Sequence, residues 1–354
     1  MKQRMEWKKG LLSLFLLFGP FFSVMASPTK VTLQLKWRHQ FQFAGYYVAK
    51  ELGYYRDLGL EVDIVEAVGN DTDSVAKVLD NHAQFGISHS GLLKHRLQGQ
   101  PVVAMAALMQ SSPYCWLVKK HSPIFAPQDF DSKKISSLSA SENAELITML
   151  ANEGIQPEVV DIGAQEPLAA WIEGRLDAIQ VYITNEPYTL AQQGIDYRLV
   201  CPKQHGFNVY GDVLFTSQTF LDAQPEVVAR FYQASMRGWR YALLNLQHSI
   251  ALTKRHYAVD KSLQELAFEA DQLKPLMMRT GSTLGAMSDA RWRLIAELYS
   301  LNDKPMQEYF HGFMYQPMQQ SGMRMSWMFI LAIAIILVAV PTYVRLVVQA
   351  RKSK

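Results

Sequence analysis

VTLQLKWRHQFQFAGYYVAKELGYYRDLGLEVDIV, Val31 to Val65, runs strand, loop, helix, turn and strand in one stretch. Val31, Leu33 and Leu35 alternate, the pattern of a strand with one buried face. Gln40 to Tyr47 then crowds amides and aromatics into the loop and the first turns of a helix. Gly53 ends that helix and Gly59 supplies the next turn. Leu60, Val62 and Ile64 resume the alternation. A βαβ opening leaves its strand–helix loop at the carboxyl end of the sheet, where α/β folds bind ligands. A loop this rich in rings and amides suits a small ligand that is stacked and hydrogen-bonded.

Working outward, Asp73 to Asn81 reads as a helix, Ala83 to Ser88 as a strand and Gly91 to Gln98 as a helix. Pro101 to Leu108 is almost wholly apolar and suits a strand buried on both faces. Cys115 to Lys119 reads as a crossover strand. The alternation restarts at Lys133 to Ser137, and Ser139 with Glu142 forms a capping box for a helix to Asn152. Val159 to Ile162 and Ala178 to Ile183 read as strands. Glu166 to Glu173 and Pro187 to Gln193 read as helices. Val213 to Thr216 is a return strand. From Gln224 to Ser300 the pattern is helical, with an amphipathic run over Val227–Leu244. Two successive strand–helix blocks predict an α/β protein with two parallel-sheet lobes.

Composition removes some classes of function. The hydrophobic share is 49% and the net charge +3, and no basic stripe interleaves with aromatics, so nothing argues for nucleic acid. No CxxC, HExxH or Cys/His cluster appears, and the sequence offers no metal site. The two cysteines, Cys115 and Cys201, can pair in an oxidising compartment, but one pair is no framework.

Both ends are apolar. Lys2, Arg4, Lys8 and Lys9 precede the run Leu11 to Val24, and Val24-Met25-Ala26 resembles a small-x-small cleavage site. Residues 1–26 are expected to be a secretory signal peptide, or otherwise an uncleaved anchor. Ser326 to Val344 carries no charge and is long enough to span a bilayer as a helix. Arg345, Arg351, Lys352 and Lys354 follow, which places that end in the cytoplasm by the positive-inside rule. The expectation is a transmembrane helix at 326–344, a basic cytoplasmic tail at 345–354, and a folded body in the periplasm tethered to the inner membrane.

The opening stretch also carries a resemblance. LKWRHQFQFAGYYVAKELGYYRDLGLEV resembles the start of the thiamine pyrimidine synthase-like domain family, which includes alkanesulfonate-binding proteins and other periplasmic substrate-binding proteins of ABC importers. FGISHSGLL (Phe85–Leu93), GQPVVAMAAL (Gly99–Leu108), ITNEPY (Ile183–Tyr188), YGDVLFTS (Tyr210–Ser217) and RGWRYAL (Arg237–Leu243) continue it. The resemblance implies a two-lobed periplasmic-binding-protein-like fold of type II, with two crossovers and the ligand between the lobes. On that plan 27–118 and 213–315 form lobe one, and 119–212 lobe two.

Four clusters are candidate ligand contacts. Trp37, Gln40, Phe41 and Gln42 combine flat faces for stacking with amides suited to ring nitrogens. Phe41 and Phe43 serve equally as core. Ser88, His89 and Ser90 end a strand before a helix; exposed amides there can hold an oxygen, or Ser90 is an ordinary N-cap. In Asn185-Glu186-Pro187-Tyr188 a carboxylate can accept from an exocyclic amine, or Glu186 is a helix N-terminal charge. Tyr210 and Asp212 flank a glycine that lets backbone approach a ligand, or that makes a hinge turn. Tyr47 either packs or faces the cleft. Trp37 and Gln40 are expected on one wall and Glu186 on the other.

The resembled family has an enzyme branch that makes the thiamine pyrimidine with pyridoxal phosphate and iron. Its pattern places a Lys and a His in the segment matching Gly86–Leu93 and a cysteine-rich run in that matching Gly206–Thr216. Here these read GISHSGLL, without the Lys, and GFNVYGDVLFT, without any Cys. A Schiff base needs its amine and the iron its ligands. A hydrolase fits no better, since GxSxG is absent. The expectation is therefore a non-enzyme without cofactor. It is a membrane-tethered binding protein for a heterocycle resembling a thiamine-pyrimidine precursor, working with an ABC permease or a separate signalling protein.

Overall fold

Val31, Leu33 and Leu35 are buried, and they stand in or just after β1 (Thr29–Gln34). The computed structural model describes residues 27–317, apart from 69–72, 137–143, 163–165, 279–280, 282 and 302–309, together with positions 336, 338–342, 345 and 348–351. The proposed signal peptide and the Ser139–Glu142 capping box lie outside the described residues, as does most of 326–344. Among the described residues no helix is long and apolar enough to cross a membrane.

The remaining strands are β2 (Leu60–Val65), β3 (Phe85–Ser88), β4 (Val102–Ala107), β5 (Tyr114–Lys119), β6 (Lys134–Ser136), β7 (Glu158–Val160), β8 (Ala178–Tyr182), β9 (Tyr197–Val200) and β10 (Val213–Ser217). They form two five-stranded sheets, ordered β2-β1-β3-β10-β4 and β7-β6-β8-β5-β9. The chain crosses between them twice, after β4 and after β9. The periplasmic-binding-protein-like fold is thus present as expected, with two corrections.

Neither sheet is purely parallel. β10 runs antiparallel to β3 and β4, and β5 antiparallel to β8 and β9. The reason is where each strand starts. The other strands reach the cleft between the sheets at their carboxyl ends, whereas β5 and β10 enter directly from the crossovers and start there. Second, β5 belongs to the second sheet, between β8 and β9. The boundary at 118/119 had put it in the first lobe, but the crossing is complete by Tyr114.

Cys115 and Cys201 are joined, with Cα atoms 4.3 Å apart. Trp116 pairs with Val200 across the β5–β9 ladder, so the two cysteines stand opposite each other at its next position. The bond staples an edge strand to a central one. It closes a loop of sequence separation 86, which by chain entropy is worth about 4.6 kcal/mol.

The first sheet is covered by the amphipathic segment, observed as a helix over Pro225–Leu244. Its Phe231 stacks on Phe85 at 3.7 Å between ring centroids and on Tyr55 at 5.2 Å, each pair adding about 1 kcal/mol beyond area burial. This helix crosses Ala44–Glu51 closely enough that a side chain at Gly238 would overlap the Gly45 carbonyl oxygen. Gly53, with φ 77°, makes the turn its position predicted.

The described residues up to Tyr315 form one compact unit, and those from Gln316 onward a second. In the second, the described positions from Ile336 onward are helical.

Candidate functional site

A cavity of about 660 Å³ lies at the cleft ends of both sheets. That size is ordinary for a small-molecule site. Lys36 and Trp37 enter it directly after β1, followed by Gln40 and Gln42 from the loop. Ser88 and His89 line it at the end of β3. The second sheet contributes Tyr114 at the start of β5, Gln180 and Tyr182 from β8, and Asn185 and Glu186 just beyond. Asp73, Lys94, Gln98 and Glu166 extend the lining with polar groups.

The opening loop is held by charges from far along the chain. The Phe41 amide donates to Glu269 Oε2 at 2.7 Å, and Lys261 Nζ meets Glu269 Oε1 at 2.7 Å. Gln42 Nε2 donates to both oxygens of Asp212, at 3.0 and 2.8 Å, and Gln40 Nε2 donates to Gln42 Oε1 at 2.5 Å. Lys36 Nζ lies 2.7 Å from Asp212 Oδ1. Lys36 also reaches the far wall, with its Nζ 5.8 Å from the Tyr114 ring centre and 6.0 Å from that of Tyr182. Those two rings meet edge to face at 5.1 Å. Asp212 therefore acts from behind the wall, clamping Lys36 and Gln42 in place.

On the second wall, the Tyr182 amide donates to Glu186 Oε2 at 3.1 Å. Burial raises the pKa of the Glu186 carboxyl above its ordinary value. Burial, reinforced by the Asp212 charge, pushes the Tyr182 phenol well above its ordinary value. A neutral phenol is thus kept over the ammonium of Lys36.

Of the residues expected from the sequence, Trp37, Gln40, Gln42, Ser88, His89, Asn185 and Glu186 come together around this cavity. The others do not line it. Phe41 is fully buried core. Tyr47 is buried and stacks on Tyr257 at 3.8 Å, its hydroxyl 2.9 Å from His39 Nδ1. Its helix is turned so that this face meets a neighbouring helix. Ser90 is buried against the Tyr299 hydroxyl at 2.7 Å. Tyr188 lies outside, its ring 5.4 Å from that of Phe268. Tyr210 packs edge-on against Trp292 at 5.0 Å, under the Arg291 guanidinium. Asp212 is buried and reaches the cavity only through its partners.

Sequence reasoning missed Lys36, Tyr114, Gln180 and Tyr182. For Gln180 a signal existed, a single amide inside the apolar run of β8. For Lys36 none did, because a lysine at a strand end reads as solvated. Among the described residues no group of three or more His, Cys, Asp or Glu side chains gathers as a metal site would require.

The riboflavin-binding protein RibY of Chloroflexus aurantiacus is 28% identical over 258 residues, spanning 70% of this chain and 73% of that protein. The formylaminopyrimidine-binding protein of Halalkalibacterium halodurans is 27% identical over 255 residues, spanning 68% and 75%. Among solved structures, the periplasmic aliphatic sulphonate binding protein SsuA of Escherichia coli superposes with a TM-score of 0.58 at 17% identity, covering 78% of this chain and 92% of that one. That likeness is one of fold, and it agrees with the two sheets and two crossings described above. The NMT1/THI5 like family matches residues 40–247, a segment that holds Gln40 and Gln42 of one wall and Gln180 and Glu186 of the other. With more than half of its length inside that match, the chain belongs to the NMT1/THI5 like family.

Proposed function

We propose that the protein is a periplasmic solute-binding protein that closes its two walls on a small, flat heterocycle of the aminopyrimidine class, a thiamine-pyrimidine precursor. The observation that carries this reading is the pairing of Trp37, Gln40 and Gln42 on one wall with Gln180 and Glu186 on the other, around one cavity. Trp37 offers a stacking face, the amides address ring nitrogens, and the Glu186 carboxylate accepts from an exocyclic amine. The name of the formylaminopyrimidine-binding relative supports the ligand class. Binding rather than catalysis is supported by the relatives named as binding proteins. The missing Lys and cysteine run point the same way.

A flavin is the second reading. It is favoured by the polar extension of the cavity at Asp73, Lys94 and Gln98, which suits a hydroxylated side chain, and by the riboflavin-binding relative.

Calorimetric titration of the full chain with formylaminopyrimidine and with riboflavin tests both readings; binding of neither would refute them. Glu186→Ala is expected to weaken the aminopyrimidine about tenfold, the worth of a hydrogen bond to a charged group. Acidity should act with two signs. The raised pKa means the folded protein takes up a proton on Glu186 above pH 4.5, its ordinary value. Falling pH through that window stabilises the empty fold, because a buried charge is neutralised. It weakens the complex, because a charged acceptor becomes a neutral carboxyl, whose hydrogen bond is weaker. Glu186→Gln should flatten this dependence of affinity, and a profile as steep as that of the unaltered chain would refute the role.

The tether is part of the proposal, on the strength of the uncharged stretch 326–344 and the arginines and lysines after it. Alkaline extraction of membranes should leave the full chain in the pellet and release a chain ending at Gln320. Release of both would refute the anchor.

A further inference from the structure

β8 is a strand of buried residues with one amide among them. Gln180 is 5% exposed and lines the cavity. Among the described residues, neither its Nε2 nor its Oε1 has a hydrogen-bond partner. Trp116 stands directly opposite it in the β5–β8 register, yet the indole Nε1 is also without a partner, so the two do not satisfy each other. A buried donor and acceptor left unpaired oppose folding, and an apolar side chain of the same size would serve the strand better. Both atoms have less than 1 Å² of accessible surface, so the amide sits just beneath the cavity wall and would meet a ligand by a turn of its side chain.

We propose that Gln180 is the specificity-determining residue of the cleft, forming paired hydrogen bonds with a heterocycle edge that presents an acceptor beside a donor. This deepens, and rests on, the reading of the cavity as a heterocycle site. The side-chain amide holds one acceptor and an N–H₂ donor at fixed spacing. Its complement is a ring nitrogen next to an exocyclic amine, as in an aminopyrimidine, or a carbonyl next to a ring N–H, as in the lactam of a flavin. The same complementarity lets an amide side chain read the N6/N7 edge of adenine in a bidentate pair. A sulfonate offers acceptors only. It would engage Nε2 and leave Oε1 buried and unpaired, so the amide also selects against that class.

The test uses the full chain and its Gln180→Leu variant, with formylaminopyrimidine, riboflavin, 3-methylriboflavin and ethanesulfonate as probes. Gln180→Leu should weaken the heterocycle that binds by about 10- to 100-fold, while the empty variant melts no lower than the unaltered protein. If riboflavin is the ligand, N3 methylation should weaken binding to the unaltered chain and make little difference to the variant. If the aminopyrimidine is the ligand, an analogue dimethylated on the exocyclic amine should behave the same way. Ethanesulfonate should bind neither protein. Heterocycle affinity within about twofold of the unaltered chain, or a lowered melting temperature, overturns this assignment alone. Failure of the unaltered chain to bind either heterocycle overturns the reading of the cavity and this assignment with it.

Discussion

Asp212→Ala is expected to destabilise the protein by about 3–5 kcal/mol, the cost of removing one partner from a buried ion pair. Lys36 is 9% exposed, and Asp212 is the carboxylate that meets its ammonium. The same carboxylate accepts both bonds from Gln42 Nε2. Alanine would leave a buried ammonium and a buried amide donor unsatisfied together. Asp212→Asn keeps an acceptor for Gln42 and loses only the charge, so it should fall in between. Replacing both partners by apolar residues, Lys36→Met with Asp212→Leu, should recover much of the loss, since the paired charges bring little net stability of their own. Urea unfolding checks all three, and an unchanged midpoint for Asp212→Ala would exclude the clamp.

Trp37→Ala is expected to act in the opposite sense, on the ligand and not on the fold. Trp37 is 39% exposed and lines the cavity, and its own carbonyl accepts from the Ala67 amide at 3.2 Å. The backbone is therefore anchored while the indole stays open as a platform. Removing a tryptophan that anchors a recognition site commonly costs 2 kcal/mol or more, so affinity should drop at least about 30-fold. Stability should move by no more than about 0.5 kcal/mol. Trp37→Phe keeps a stacking face and should keep most of the binding. Paired titration and melting measurements separate the effects, and undiminished affinity in Trp37→Ala would remove Trp37 from the wall.

The lining of the candidate cavity was legible where its residues stand at or just after a strand end. Trp37, Ser88, His89, Asn185 and Glu186 could be found because in an α/β unit the carboxyl ends of strands face the crevice. Residues inside regular elements were not legible in this way. Tyr47 has the same chemistry as a cleft residue, but the rotation of its helix presents the ring to Tyr257. Tyr210 and Asp212 sit in one short motif and behave differently. Tyr210 packs into the core against Trp292, and Asp212 braces the wall.

What the amino-acid sequence determined by itself is local: strand alternation, the turn at Gly53, the buried character of Val102–Ala107, and the order of elements that specifies two α/β sheets. These follow from periodicity and backbone preference, which need only neighbouring residues. The tertiary structure alone decided which sheet takes β5, that Cys115 faces Cys201, and that Gln180 is buried without a partner. It also brought Glu269 to the Phe41 amide across 228 positions and Asp212 to Gln42 across 170. Such pairings depend on how the sheets and helices pack, and no short stretch of sequence carries that information. Val31 to Val65 suggested a ligand loop, but the groups that hold the loop in place come from far along the chain.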